Sequence, residues 1–312
     1  MRKSNRLNFL STLGKLCLCL PGAVIGLSTI CLQARAASNL PLFRGSAALA
    51  DTKRAVSFGE RPSGSEAIVH LREWISAELK RTGGELSLDS FSGATPAGPV
   101  PMANLILKFP GTSGKVIAVT GHYDTKRIPL VHFIGANDAG SSAGFLIEFA
   151  HAVSKIKHAD DIFIIFFDGE EAVGNWTDRD SLYGSRHLAS KWGADGTLSR
   201  MKALINVDMI GDKDLHINND GNSSQALRDQ VFRIATKLGD SKYFRRDPGG
   251  IDDDHMPFVS AGANAIDIID LDYGPNGAYW HTAEDTMDKL SAESLQVVGD
   301  VVLELVQELD RG

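Results

Sequence analysis

The sequence predicts one α/β domain built as a three-layer sandwich, with a mostly parallel, twisted central sheet between helices on both sides. Three features carry that prediction. Apolar runs rich in Val, Ile, Leu and Phe alternate along the chain with helical patterns, as in chains that wind a sheet. Four of these runs are apolar almost throughout, which marks strands covered on both faces. The 312 residues are 43% hydrophobic and 23% charged, ordinary globular values that exclude a disordered chain or a coiled coil.

Residues 1–36 read as a secretory signal. A basic MRKSNR start precedes an apolar run from Leu7 to Leu32, and Ala34-Arg35-Ala36 before Ala37 fits an A-x-A cleavage site. The run is long for a signal and holds Lys15 and Pro21, so an uncleaved membrane anchor is the alternative. A lipoprotein cut at Cys31 is disfavoured by bulky Ile30 before it. The expected location is therefore periplasmic or secreted, with no stable membrane partner once the segment is removed. All three cysteines (Cys17, Cys19, Cys31) lie in this stretch, which excludes disulfides and thiolate chemistry from the body at 37–312. The stretch also carries five basic residues and no acid, leaving 27 basic against 39 acidic residues beyond it. A body at −12 has no basic stripe for nucleic acid.

Within the body the strand candidates are ANLILKF (103–109), KVIAVTGHYDT (115–125), DIFIIFFDGEE (161–171), ALINVDMIG (203–211) and ANAIDIIDL (263–271). Helical patterns fall at 141–158, 180–192, 223–239 and 291–310, the last opened by Ser291 and Glu293. Trp74 and Trp192 sit in amphipathic stretches and read as packing residues. No repeat or linker divides 37–312, so a single catalytic domain is expected.

Ligands of such sheets bind beyond the carboxyl ends of the strands, and here those ends carry chemistry. The second candidate ends in His122-Tyr123-Asp124, the third in Asp168-Gly169-Glu170-Glu171, the fourth in Asp208. Asp138 lies in a Gly135–Gly140 loop that opens a helix, and His281 follows the fifth strand. Singly, each has a plain explanation: Asp138 as a helix cap, His122 as a core histidine, Glu170-Glu171 as a solvated edge. Gathered at strand ends, they form the mixed N/O donor set of a divalent metal, which suits zinc best.

The order His122, Asp138, Glu170-Glu171, Asp208, His281 resembles the co-catalytic zinc aminopeptidase superfamily across residues 55–305. Within it, FFDGEEAVGNWTDRDSLYGSRHLA (166–189), Asp253 to Phe258, and Trp280-His281-Thr282 are similar to the animal-type glutaminyl cyclases. The resemblance implies a zinc-exopeptidase-like fold and a glutaminyl-peptide cyclotransferase. Such an enzyme converts N-terminal glutamine of peptides or proteins to pyroglutamate and releases ammonia. Position by position, it implies one catalytic Zn2+ on Asp138, Glu171 and His281, with Glu170 as general acid/base. Asp208 and Asp253 would be hydrogen-bonding carboxylates beside Glu170, and Trp176 and Trp280 walls of the substrate pocket. His255 reads either as a pocket hydrogen-bond donor or as a structural residue. The chain departs from the animal pattern in a longer loop before His281, in lacking a cysteine pair, and in an aminopeptidase-like Val207–Gly211.

The chemistry agrees with these residue types. The attacking amine and the γ-carboxamide belong to one molecule, so the reaction needs a Lewis acid with an open position and a proton shuttle. Neighbouring Asp208 and Asp253 are expected to raise the Glu170 pKa by like-charge proximity. Two alternatives stay open. A di-zinc aminopeptidase would use a second zinc on His122 and Asp208 beside Asp138, and a non-catalytic binding domain would keep only the fold.

Overall fold

A computed structural model describes residues 43–312, so the signal expected at 1–36 lies outside the described residues. Helices α1 (Gly45–Val56) and α2 (Glu66–Lys80) lead into a hairpin of β1 (Glu85–Thr95) and β2 (Gly98–Phe109). Strands and helices then alternate: β3 (Val116–His122), α3 (Gly140–Val153), β4 (Asp161–Phe167), α4 (Tyr183–Ala194) and β5 (Met201–Asp208). A small parallel pair, β6 (Ile217–Asp220) and β7 (Phe244–Gly249), brackets α5 (Gln225–Leu238). The last elements are α6 (Met256–Ser260), β8 (Ala265–Ile269) and α7 (Ala292–Arg311).

The main sheet has six strands in the order β1-β2-β4-β3-β5-β8. Four adjacent strands, β4, β3, β5 and β8, run parallel, and β1 and β2 are added antiparallel at the other edge from β8. The sheet is therefore mixed, with its parallel part where the chemistry-bearing ends lie. Alternation along each strand builds two cores. Ile117 and Val119 of β3 and Ile162 and Ile164 of β4 join a large core with α1, α2, α3, α5 and α7. Val116, Ala118, Phe163 and Ile165 turn the other way, onto Leu188 and Trp192 of α4 and Phe258 of α6. Trp192 is thus a core residue, and Trp74 packs half-buried against the large core.

Local chemistry sets the helix ends. Ser291 accepts a hydrogen bond from the Ser294 N–H and Glu293 occupies the first turn, so α7 begins where its sequence predicts. The helix expected from 180 begins instead at Tyr183. Asp180 is occupied elsewhere, accepting backbone N–H groups of Val173, Gly174 and Asn175 at 2.8–2.9 Å, and Leu182 stands at φ +51. The close crossing of α1 over α3 depends on Gly144, where a Cβ would run into the Thr52 backbone and the Ala48 carbonyl. Among the described residues, no helix is long and apolar enough to cross a membrane.

Parallel pairing aligns the functional ends. His122 is level with Phe167 and Asp208 with Ile269, so the segments that follow β3, β4, β5 and β8 all emerge at one sheet edge.

Candidate active site

Two groups of metal-capable side chains meet at that edge and share Asp138. In one, Asp138, Glu171 and His281 offer ligand atoms within 4.8 Å of one another; in the other, His122, Asp138 and Asp208 do so. Asp138 bridges them: Oδ2 is 3.2 Å from His281 Nε2 and Oδ1 is 3.3 Å from His122 Nε2. His281 Nε2 also lies 3.1 Å from Glu171 Oε1, and His122 Nε2 lies 3.1 Å from Asp208 Oδ1. Glu170 stands beside both groups, with Oε2 3.9 Å from His122 Nδ1.

A supporting layer orients these groups, and sequence reasoning assigned it no role. Asp285 accepts the N–H groups of Asn137 (2.8 Å) and Asp138 (3.1 Å) with its two oxygens, and the buried Tyr273 hydroxyl donates to it at 2.7 Å. The fully buried Arg61 donates to the carbonyl oxygens of Ile134 (2.5 Å) and Gly135 (2.7 Å), fixing the loop that delivers Asp138. Asp124 accepts from the Glu170 and Glu171 N–H groups at 3.2 and 3.3 Å. Asn206 donates to Asp253 at 3.0 Å and is itself held by the Thr120 hydroxyl at 2.9 Å. Asp124 had a visible signal, standing two residues after His122 at the end of the second strand candidate. The others are strand-interior or loop polar residues whose partners are distant in sequence.

Backbone strain concentrates here too. His281 (φ +54) and Met209 (φ +48) occupy the left-handed region, at a cost of about 1 kcal/mol or more each. The His281 ring is nonetheless fixed, stacked on Trp280 at 4.3 Å between centroids and edge-on to Phe133 at 5.7 Å.

The donors open into a 440 Å³ cavity. Asp138, Glu170, Glu171, Asp208, Asp253 and His281 line it together with Trp176 and Trp280, whose indoles are about two-fifths exposed (41% and 44%). Lys126, also lining it, places Nζ 3.0 Å from Glu171 Oε2. The structure thus brings nine of the ten sequence-selected residues together, although His122 stays buried behind the lining. His255 is the correction. It is fully buried away from the cavity, with Nε2 3.0 Å from Asp220 Oδ2, because the short α6 turns it beneath β8.

Carboxylates outnumber cations here, and the titration of the site follows. Burial opposes charging of His281, but hydrogen bonds to Asp138 and Glu171 outweigh it and hold the imidazole at about 9. His122 is likewise raised well above its usual value, against burial, by Asp208, Asp124 and Asp138. Burial tends to raise Asp138, but hydrogen bonds from both histidines hold it below the carboxylate range. The Glu170 carboxyl is pushed well above that range, foremost by burial, with Glu171, Asp253 and Asp254 adding and His122 opposing. The expected like-charge cause is therefore secondary. Asp208 rises to about 7, again chiefly by burial. A site that draws protons onto two imidazoles demands positive charge, and its N/O donors fit a divalent metal.

Comparison with known proteins agrees with this architecture. The model of peptidase family M28 matches residues 104–306. The glutaminyl-peptide cyclotransferase of Bos taurus is 30% identical over 285 residues, covering 80% of this chain and 78% of the relative. A crystal structure of an Acidobacteriales bacterium glutaminyl cyclase is 40% identical with a TM-score of 0.85, covering 89% of this chain and 99% of the other. A Zn-dependent exopeptidase from Parabacteroides distasonis is 28% identical with a TM-score of 0.76, covering 86% and 99%. With its donors at the strand ends of such a sheet and this extent of likeness, the chain belongs to peptidase family M28, among the glutaminyl-peptide cyclotransferases.

Proposed function

We propose that this chain is a zinc-dependent glutaminyl-peptide cyclotransferase whose catalytic body spans 37–312 and which residues 1–36 direct out of the cytoplasm. The observation that carries the reading is one cavity enclosing Glu170, a three-donor metal group and two indoles. In the reaction, the α-amine nitrogen of the N-terminal glutamine bonds to the γ-carboxamide carbon. The bond from that carbon to the amide nitrogen breaks, and ammonia leaves with a proton taken from the amine. No water enters the balance.

Asp138, Glu171 and His281 are the residues that would hold the metal, because they line the cavity while buried His122 does not. A catalytic site needs that access to keep a position open for substrate. The ion, when bound, would supply Lewis acidity to the carboxamide. Glu170 takes the proton from the amine and returns it to the departing nitrogen, and burial, by raising its pKa, makes it the stronger base for that task. Asp253, anchored by Asn206, adds its charge to the burial that raises that carboxyl, while Asp208 is paired with His122. Trp176 and Trp280 confine the glutaminyl side chain against competing water. His122 and Asp208 beside Asp138 remain the place for a second ion, the stoichiometry of an aminopeptidase.

Mass spectrometry of the products tests the reading. A Gln-initiated peptide should lose one ammonia with its chain intact, while Leu- and Ala-initiated peptides stay uncut. Release of free amino acids from several N-termini, with no cyclised species, would transfer the chain to the aminopeptidase reading. Truncating one wall should act on binding: Trp280→Ala removes stacking area, and kcat/KM should fall about tenfold. Its zinc content should stay at the wild-type level. Loss of the metal would instead make Trp280 a prop for His281.

A further inference from the structure

A separate cavity of 270 Å³ lies between α5 and the strands β6, β7 and β8, and it shares no lining residue with the reaction cavity. Its wall combines two kinds of group. Ile217, Val231, Phe244, Ile266 and Ile268 are apolar, while Arg228 of α5 and Arg245 and Arg246 of β7 bring guanidinium groups. Arg245 is engaged with Asp272 at 3.1 Å. Arg228 and Arg246 have no ion pair among the described residues.

We infer that this cavity is a binding site for a small organic anion, a carboxylate carried on an apolar body, with Arg228 and Arg246 as its recognition groups. The inference does not depend on the reaction proposed above. Unused donors are the first argument. Arg228 spends Nη1 on Asn219 Oδ1 at 3.0 Å, but its Nε–H is buried without an acceptor. That state costs free energy until an acceptor arrives. The Arg246 guanidinium lies over the Phe232 ring, 4.2 Å from its centroid. A guanidinium so placed keeps its N–H groups for a carboxylate. Asn219 ties the two arginines together, because its amide also donates to the Arg246 carbonyl oxygen at 2.6 Å.

Charge is the second argument, since the acids of the wall do not cancel these cations. Asp220 accepts the Ile251 N–H at 2.9 Å and the Ser223 hydroxyl at 2.6 Å, and its Oδ2 lies 3.0 Å from His255 Nε2. Burial foremost, with Asp253 and Asp208 adding, pushes the Asp267 carboxyl well above the usual carboxylate range, which weakens its charge. Asp229 is exposed to water. Shape is the third argument. The volume suits a body of benzene size, and the apolar side chains favour its removal from water.

Calorimetric titration of benzoate into the zinc-loaded protein tests the site. A Kd of about 10⁻⁴ M is expected for a ligand of this size. Benzamide, of the same shape but neutral, should bind at least about tenfold more weakly, because hydrogen bonds to a charged acceptor are the stronger kind. Inorganic phosphate, which lacks the apolar body, should also bind more weakly than benzoate. Arg228→Met keeps the aliphatic stem, removes the donors and should weaken benzoate by about tenfold or more. Arg246→Met does the same from an exposed position, should Arg228→Met fold poorly. Unchanged benzoate affinity in the folded variants, equal affinity for benzamide, or no binding of benzoate overturns the site. Binding that persists in both variants and vanishes when zinc is removed places the anion at the reaction centre, and overturns it as well.

Discussion

Replacing His281 by alanine should empty the metal site and abolish turnover while the protein stays folded. The side chain is the nitrogen donor of the cavity-facing group, at 3.1 Å from Glu171 and 3.2 Å from Asp138. Lewis-acid stabilisation is worth several kcal/mol, so activity should fall by at least about 10³-fold. Zinc bound per chain, measured after dialysis, should drop from about one toward none in the same variant. Folding is separable from ligation at this position. Because His281 has φ +54, His281→Gly relieves backbone strain, and its Tm should match or exceed that of His281→Ala. If both variants keep full zinc, the donor set centred on Asp138, Glu171 and His281 is the wrong one.

Exchange of Glu170 for glutamine should separate chemistry from metal binding. The amide keeps the shape of the carboxyl and loses its capacity to carry a proton, and general acid/base catalysis is typically worth about 10²–10⁴-fold. Turnover of a Gln-peptide should fall by that factor with KM nearly unchanged and zinc content as in wild type. Glu171→Gln, one residue away, should do the opposite and release the metal. The two side chains diverge because Asp124 holds both N–H groups while Glu171 alone is drawn to His281 and Lys126. A Glu170→Gln protein without zinc would mean that the adjacent glutamates exchange roles.

Much of the fold was legible because buried parallel strands leave a dense apolar signature. KVIAVTGH, DIFIIFF and ALINVD stand out and form β3, β4 and β5. Strand direction was not legible. The run 103–109 has the same apolar character, yet it pairs antiparallel on both sides as β2. Its partner β1 (Glu85–Thr95) lies at the sheet edge with alternate residues exposed, and its Ser and Asp content hides the strand from an apolar count.

The site divides in the same way. The sequence by itself singled out the candidate donors, the carboxylate next to one of them and the two tryptophans, because ligands of a doubly covered sheet bind beyond the carboxyl ends of its strands. Tertiary structure alone decided the rest. It removed His255 from the cavity, put burial ahead of neighbouring charge in raising Glu170, and recruited Asp285, Arg61, Asp124 and Asn206 as supports. The reason is distance along the chain. Asp285 reaches its Asp138 partner across 147 residues and Asn206 reaches Asp253 across 47. Such contacts follow from the order and direction in which strands pair, and so does the solvent exclusion that sets each pKa.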